Sequence, residues 1–318
     1  MARNWLRRAL LAAFCTSVIG LAGCGSSTIE SALTPDRFIA FGDGFSDLGQ
    51  SGNKRYTVND GSISNWSEVV ATSFAKPLGT SGSGGLSYAR GNARVSAKPD
   101  AAGNAATLSI TEQVDAFLAG NTFGKNDVVL VNGGISDIVA QMAAVTSGAQ
   151  TSAQMLTNVA QAGKDLGTQI RRIVSSGAKY VVVVGTFNLA KTPWSTAIGQ
   201  GDLLLQASSR FNEELLVSMV DLGANVLYVD AAFHFNLVTA SPTVYGFTDS
   251  STIACNSVDA GAGIGTGTGQ VNSALCTTST IATGLDYSKY VFADRVYPTP
   301  VAQRLFGDYA YARLRARW

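Results

Sequence analysis

Histidine is nearly missing from this chain: 318 residues contain one, His234. With a single imidazole and four cysteines, no metal-ligand spacing and no cofactor fingerprint can be found, so none is expected. Charge is scarce too, at 14% of residues, and the signs almost cancel to a formal net charge of +1. No strong field draws such a chain to nucleic acid, and no basic arm or acidic tail does so locally. No apolar run reaches the roughly 20 residues that a membrane-spanning helix needs. No internal repeat is visible, and the length suits one large domain. What is plentiful is glycine, 34 residues, together with Ser, Thr and Asn, against a 46% hydrophobic background. That balance suits a globular extracytoplasmic protein with long polar loops.

The first 35 residues are more specific. Arg3, Arg7 and Arg8 precede a short apolar stretch from Ala9 to Gly20, the order of charge and hydrophobicity found in export signals. The stretch ends at Leu21-Ala22-Gly23-Cys24, which resembles a bacterial lipobox. Residues 1–23 are therefore expected to be a lipoprotein signal peptide. Cys24 would be the lipidated first residue, residues 24–35 a tether, and 36–318 a single domain. Several acyl chains anchor stably because each buried CH₂ contributes about 0.8 kcal/mol. Gly25, rather than Asp, after the cysteine points by resemblance to the outer membrane. The plainer alternative is an ordinary secretory signal with a chance cysteine. Export leaves Cys255 and Cys276 in an oxidising compartment, where they are expected to pair; two free thiols are the alternative. Closing about 20 residues would contribute on the order of 3 kcal/mol in the chain-entropy account.

Apolar runs at Phe38–Phe41, Val128–Val131, Tyr180–Val184 and Val226–Val229 each end at Gly or Asp. Continuous β-branched runs of this length predict strands buried on both faces of a parallel sheet. Between them, Leu156, Val159, Gly163, Leu166, Ile170 and Ile173 recur at steps of three and four, as do Leu204, Ala207, Phe211, Leu215 and Met219. Further helices are expected over Thr111–Leu118 and from Pro300 to about Arg315. The alternation predicts a three-layer α/β/α sandwich with a mainly parallel central sheet, its chemistry beyond the carboxyl ends of the strands. Gly79–Ala106 and Thr248–Thr283 read as long loops. The glycine-rich Gly261–Gly267 follows no strand and opens no helix, so it reads as a flexible loop and not a nucleotide cradle.

The first strand runs into Gly42-Asp43-Gly44-Phe45-Ser46-Asp47-Leu48-Gly49. Asn65-Trp66, Tyr88-Ala89-Arg90-Gly91-Asn92-Ala93-Arg94, Gly134-Ile135-Ser136-Asp137, Phe211-Asn212 and Asp294-Arg295-Val296-Tyr297-Pro298-Thr299 follow in order. This series resembles the blocks of the GDSL (SGNH) esterase/lipase family, in its secreted Gram-negative bacterial form. The resemblance implies acyl transfer from an ester. A serine attacks the carbonyl, a histidine moves the proton, an aspartate orients the imidazole, and backbone N–H groups with an asparagine amide hold the oxyanion.

Carried over by position, the family's nucleophile falls on Gly44, its oxyanion donors on Gly91 and Ser136, its acid on Asp294 and its base on Tyr297. Serine, asparagine and histidine are thus replaced, so no intact catalytic set is expected. Ser46 is not a shifted nucleophile, because the family carries that serine as well. A phenol with a pKa near 10 cannot serve as a neutral-pH base. In serine hydrolases, loss of nucleophile or base costs about 10⁶ in rate. The expectation is a pseudo-hydrolase whose cleft (Asp43, Gly44, Gly91, Asn92, Ser136, Asp294 and Tyr297) binds an acyl or sugar-ester ligand. Gly44 would enlarge the pocket floor, and Tyr297 would form its wall or hydrogen-bond Asp294. An active carboxylesterase using Ser46 or Ser136 with His234, and a structural envelope protein, are the alternatives. His234, within Phe233-His234-Phe235, otherwise reads as a packed core residue. Replacing Cys24 by Ser is expected to abolish incorporation of labelled palmitate and move the protein out of the membrane fraction; unchanged labelling would refute the anchor.

Overall fold

A computed structural model describes residues 32–50 and 52–318. The signal peptide, the lipidation site at Cys24 and most of the tether lie outside the described residues. Leu33 and Pro35, at the end of the expected tether, are buried, so the packed fold takes in residues before 36.

The four apolar runs form one sheet: β1 (Phe38–Phe41), β2 (Val128–Asn132), β3 (Tyr180–Val184) and β4 (Val226–Tyr228). They lie side by side in chain order, and every pair is parallel. The registers Phe41↔Val131 and Val131↔Val183 bring the strand ends level, so the loops that follow emerge at one edge. The expected α/β fold, with helices flanking a parallel sheet, is the observed one.

The flanking helices begin where sequence chemistry allows. α1 (Trp66–Ser73) is capped by the Asn65 side chain, and α2 (Ile110–Leu118) by a Ser109–Glu112 capping box. α3 (Ile135–Thr146) starts after Gly134, which sits at φ 104° where a side chain would be strained. α4 (Ser152–Ser175) opens with a Thr151–Gln154 capping box. The short α5 (Pro193–Ile198) and long α6 (Gly201–Ser218) precede β4, and α7 (Ala231–Ala240) follows it, capped by Asp230. The last helix, α8 (Pro300–Arg317), has Thr299 as cap and proline in its first turn. α4 packs closely on α6, and α1 on α8.

Gly163 explains the closeness of the first pair: a Cβ there would overlap the Phe211 carbonyl oxygen of α6. On the other pair, Phe45, Trp66, Phe235 and Phe306 form a cluster of rings, with Phe187 joining through Phe45 and Phe235. Such offset and edge-on pairs each add roughly 0.5–1.5 kcal/mol beyond the area they bury.

The stretch Thr248–Thr283, expected to be loop, carries structure instead. β5 (Asp249–Ile253) pairs in parallel with β8 (Tyr290–Phe292), and β6 (Val258–Asp259) forms a small antiparallel pair with β7 (Gln270–Val271). Cys255 and Cys276 are disulfide-bonded, as expected. The glycine run between β6 and β7 is pinned: Ile264 is buried in the core, and a Cβ on Gly265 would press on the Ala101 carbonyl. β5, β6 and β7 escaped notice because they are short and carry polar residues, and β8 (Tyr-Val-Phe) because three apolar residues make too short a run to read as a strand.

Gly163→Ala is expected to lower the melting temperature, at a cost of about 1–3 kcal/mol, by forcing α4 and α6 apart. Gly148→Ala is no control for this, since its φ of 75° adds strain. Gly201, with open space around its Cβ position, is the control, and Gly201→Ala should change little.

Candidate functional site

The turn after β1 is held from several sides. The Gln113 side chain clamps Gly42, its Oε1 accepting from Gly42 N–H at 2.9 Å and its Nε2 donating to Gly42 O at 2.9 Å. Asp43 is fully buried, and its Oδ1 accepts from Phe45 N–H (3.0 Å) and from Asn132 Nδ2 at the end of β2 (2.7 Å). Gly44 follows. An added Cβ there would lie 2.6 Å from the Tyr297 hydroxyl and 2.8 Å from its Cζ. The backbone at Gly44 is not in the left-handed region, so space rather than conformation requires glycine.

Tyr297 reaches that position from the turn between β8 and α8. Asp294, also fully buried, builds the turn: its Oδ1 accepts from Val296 N–H (2.8 Å) and Tyr297 N–H (2.7 Å). Its Oδ2 accepts from Ser273 N–H (2.9 Å), tying the turn to the disulfide-closed segment. The expected bond from the Tyr297 phenol to Asp294 is absent, because backbone N–H groups already take both carboxylate oxygens. Burial first, then the nearby Asp43, Tyr56 and Asp294, push the Tyr297 pKa well above its usual value, so the phenol stays protonated.

A second tyrosine completes the plug. The Tyr56 ring lies 5.0 Å from that of Tyr297 and covers Gly91, where any Cβ would overlap it. Gly91 N–H donates to Asp47 Oδ2 at 2.7 Å, so this candidate oxyanion donor is engaged by a carboxylate. Ser136, in the first turn of α3, is buried, and its side chain lies beside the Tyr297 phenol.

Asp43, Gly44, Ser136, Asp294 and Tyr297 are thus brought together, but in the interior and away from the accessible space. The expectation that Gly44 opens the pocket floor is corrected: the Tyr297 ring fills the space that glycine leaves. Above the rings lies a cleft of about 420 Å³, whose lining includes Tyr56, Arg90, Gly91, Asn92 and Lys54. Of the expected cleft residues, only Gly91 and Asn92 line it. Tyr56, Lys54 and Asp100 were missed, because they lie in polar loops outside the sequence blocks and only the folded chain places them here. Arg90 had a signal, since it adjoins Gly91 in its block.

His234 is remote in character from this chemistry. Its ring packs against those of Phe235, Tyr245, Phe306 and Tyr309, and burial lowers its pKa to about 4. The Ser46 hydroxyl is taken up by the Trp66 indole N–H at 2.9 Å. Among the described residues, no group of His, Cys, Asp and Glu could hold a metal ion, and no helix is long and apolar enough to cross a membrane.

Comparison with known proteins follows the same geometry. The family model for GDSL-like lipase/acylhydrolase matches residues 38–310, from the first strand to the last helix. The chain belongs to this family. An uncharacterized protein from the trpE–trpG intergenic region of Pseudomonas putida is 28% identical over 98% of this chain and 54% of its own length. The esterases EstA of Pseudomonas aeruginosa and Pseudomonas putida are each 30% identical over 44% of this chain and 20% of theirs. The chain thus spans about half the length of the first of these relatives and a fifth of the GDSL esterases.

Two buried groups give opposite pH dependences. Burial raises the Asp137 pKa from 3.8 to about 6, with Arg94 opposing. The folded state therefore holds its proton more tightly, and this contribution to stability is lost as pH rises from about 4 to 6. The depressed pKa of His234 acts inversely: its contribution is present above pH 6.5 and is lost as pH falls toward 4. His234→Phe should therefore lose less stability than the wild type on acidification from pH 7 to 4, by about 2–3 kcal/mol in denaturant titrations. Parallel curves for the two proteins would show that His234 is not buried neutral.

Proposed function

We propose that this chain is a non-catalytic member of the GDSL family, an exported envelope lipoprotein anchored through Cys24 in the outer membrane, whose remaining cleft binds a ligand. The observation that carries the reading is the 2.6 Å between the Tyr297 hydroxyl and the Cβ position of Gly44. The nucleophile's place has no side chain, and the base's place holds a neutral phenol that blocks the approach of any ester carbonyl. A serine hydrolase needs nucleophile and base within about 2.6–3.2 Å of one another, with substrate between them and the oxyanion donors. Here substrate space and the Gly91 donor are both filled from within.

Of the acyl and sugar-ester ligands that the family resemblance suggests, the sugar portion fits better. The accessible cleft mixes Asn, Thr, Asp, Arg and Lys side chains with Tyr56, Leu275 and three alanines, a lining suited to the polar and C–H faces of a sugar. An active esterase with a rearranged dyad finds support only in the names of the esterase relatives. The packing of His234 among rings and the bond of Ser46 to Trp66 oppose it.

The test is hydrolysis of short- and medium-chain p-nitrophenyl esters by the purified full-length chain, beside its Gly44→Ser, Ser136→Asn, Tyr297→His triple variant. The wild type should not exceed background, and the triple variant should gain at least about 10²-fold, the worth of one restored oxyanion donor. Gly44→Ser alone should stay inactive and melt at lower temperature, because its side chain meets Tyr297. Wild-type turnover clearly above background would overturn the proposal.

A further inference from the structure

We infer that the cleft above Tyr56 is a binding site for an acidic sugar, a glycan unit that carries a carboxylate; this rests on the non-catalytic reading and names its ligand class. The inference comes from the hydrogen-bond state of the charged and buried polar groups in the cleft. Its two carboxylates are spent internally. Asp47 accepts from Gly49 N–H (2.8 Å), Gln50 N–H (2.9 Å) and Gly91 N–H (2.7 Å). Asp100 accepts from Ala102 N–H (2.9 Å), Asn104 N–H (2.8 Å) and the Thr107 hydroxyl (2.6 Å). The Asn272 amide is spent as well, donating to Asp259 at 2.8 Å and accepting from Ala274 N–H at 2.9 Å.

What remains open is mostly donors. Among the described residues the Arg90 side chain has no hydrogen-bond partner, its Nε is fully buried, and its backbone N–H is fixed to Gly42 O at 3.1 Å. Its nearest charge relation is the attraction to Asp47, whose oxygens are already taken. Lys54, exposed on the cleft's lining, makes no hydrogen bond or ion pair among the described residues and feels Asp259 only through space. Asn92 is nine-tenths buried, donates through Nδ2 to Gly263 O at 2.9 Å, and leaves Oδ1 unpartnered.

An arginine and a lysine with open valences call for an anion that accepts hydrogen bonds, and a planar guanidinium matches a carboxylate with two parallel bonds. The Asn92 Oδ1 is sealed from the cleft as well as unpartnered, so the sugar part of the ligand rests on the ring beneath it. The Tyr56 ring at the cleft floor offers an apolar surface to the C–H face of a sugar. A volume of about 420 Å³ admits one or two sugar units.

The experiment is calorimetric titration of the full-length chain with galacturonate and digalacturonate, against galactose, acetate and inorganic phosphate. A uronate should bind at least about tenfold more tightly than galactose or the small anions, and more weakly as salt rises. Arg90→Ala should weaken it at least about tenfold. Lys54→Ala, at an exposed position that leaves the fold unaltered, should weaken it several-fold. Equal binding of galactose, equal binding of acetate or phosphate, no binding of either uronate, or an affinity indifferent to both substitutions would each overturn the inference. Ester hydrolysis by the wild type would instead overturn the non-catalytic reading and leave the sugar-binding result standing on its own.

Discussion

The arrangement of this site depends on the contact between Gly44 and Tyr297. The ring can enter because the turn after β1 has no side chain at Gly44, and no side chain can be placed there while the ring is present. Each residue makes the other necessary. Around them, backbone N–H groups bind both Asp294 oxygens, while Phe45 N–H and Asn132 bind Asp43 through Oδ1 alone, and burial raises both carboxyl pKa values. The buried acids therefore serve the turns that carry the plug, and a lone substitution meets a site packed against it.

The same contact divides the molecule into a sealed lower layer and an open upper one. Tyr56 lies over Tyr297 and Gly91, so its other side becomes the floor of the cleft. The disulfide-closed segment supplies a wall through Asn272, Ala274 and Leu275, and its Ser273 N–H holds Asp294. The segment binds the turn below and shapes the cleft above at once. Filling the space beside Gly44 and flooring the cleft are thus two consequences of one set of packed rings.

Most of the fold was legible in the sequence, and for a physical reason. Strands such as Tyr180–Val184, buried on both faces, must be apolar at every position, and α4 must show one apolar stripe to the sheet and to α6. Gly163 fell on that stripe without its purpose being visible, since the carbonyl it admits belongs to a helix some fifty residues on. The pairing of β5 with β8 was illegible because β5 is polar and partly exposed and β8 spans three residues, so both owe their existence to the partner rather than to their own pattern.

The sequence by itself determined the family blocks, with Gly44, Ser136 and Tyr297 standing in them, the buried sheet and the expected pairing of the two cysteines, since each is written in residue identity or local periodicity. Only the tertiary structure decided that the space left by Gly44 is filled rather than open. The same is true of Tyr56 sealing Gly91, and of Arg90, Lys54 and Asn92 sharing one cleft with their valences unspent. Those facts concern volume and hydrogen-bond capacity shared between segments far apart in the chain, and no stretch of sequence specifies them until the strands bring its loops to one edge of the sheet.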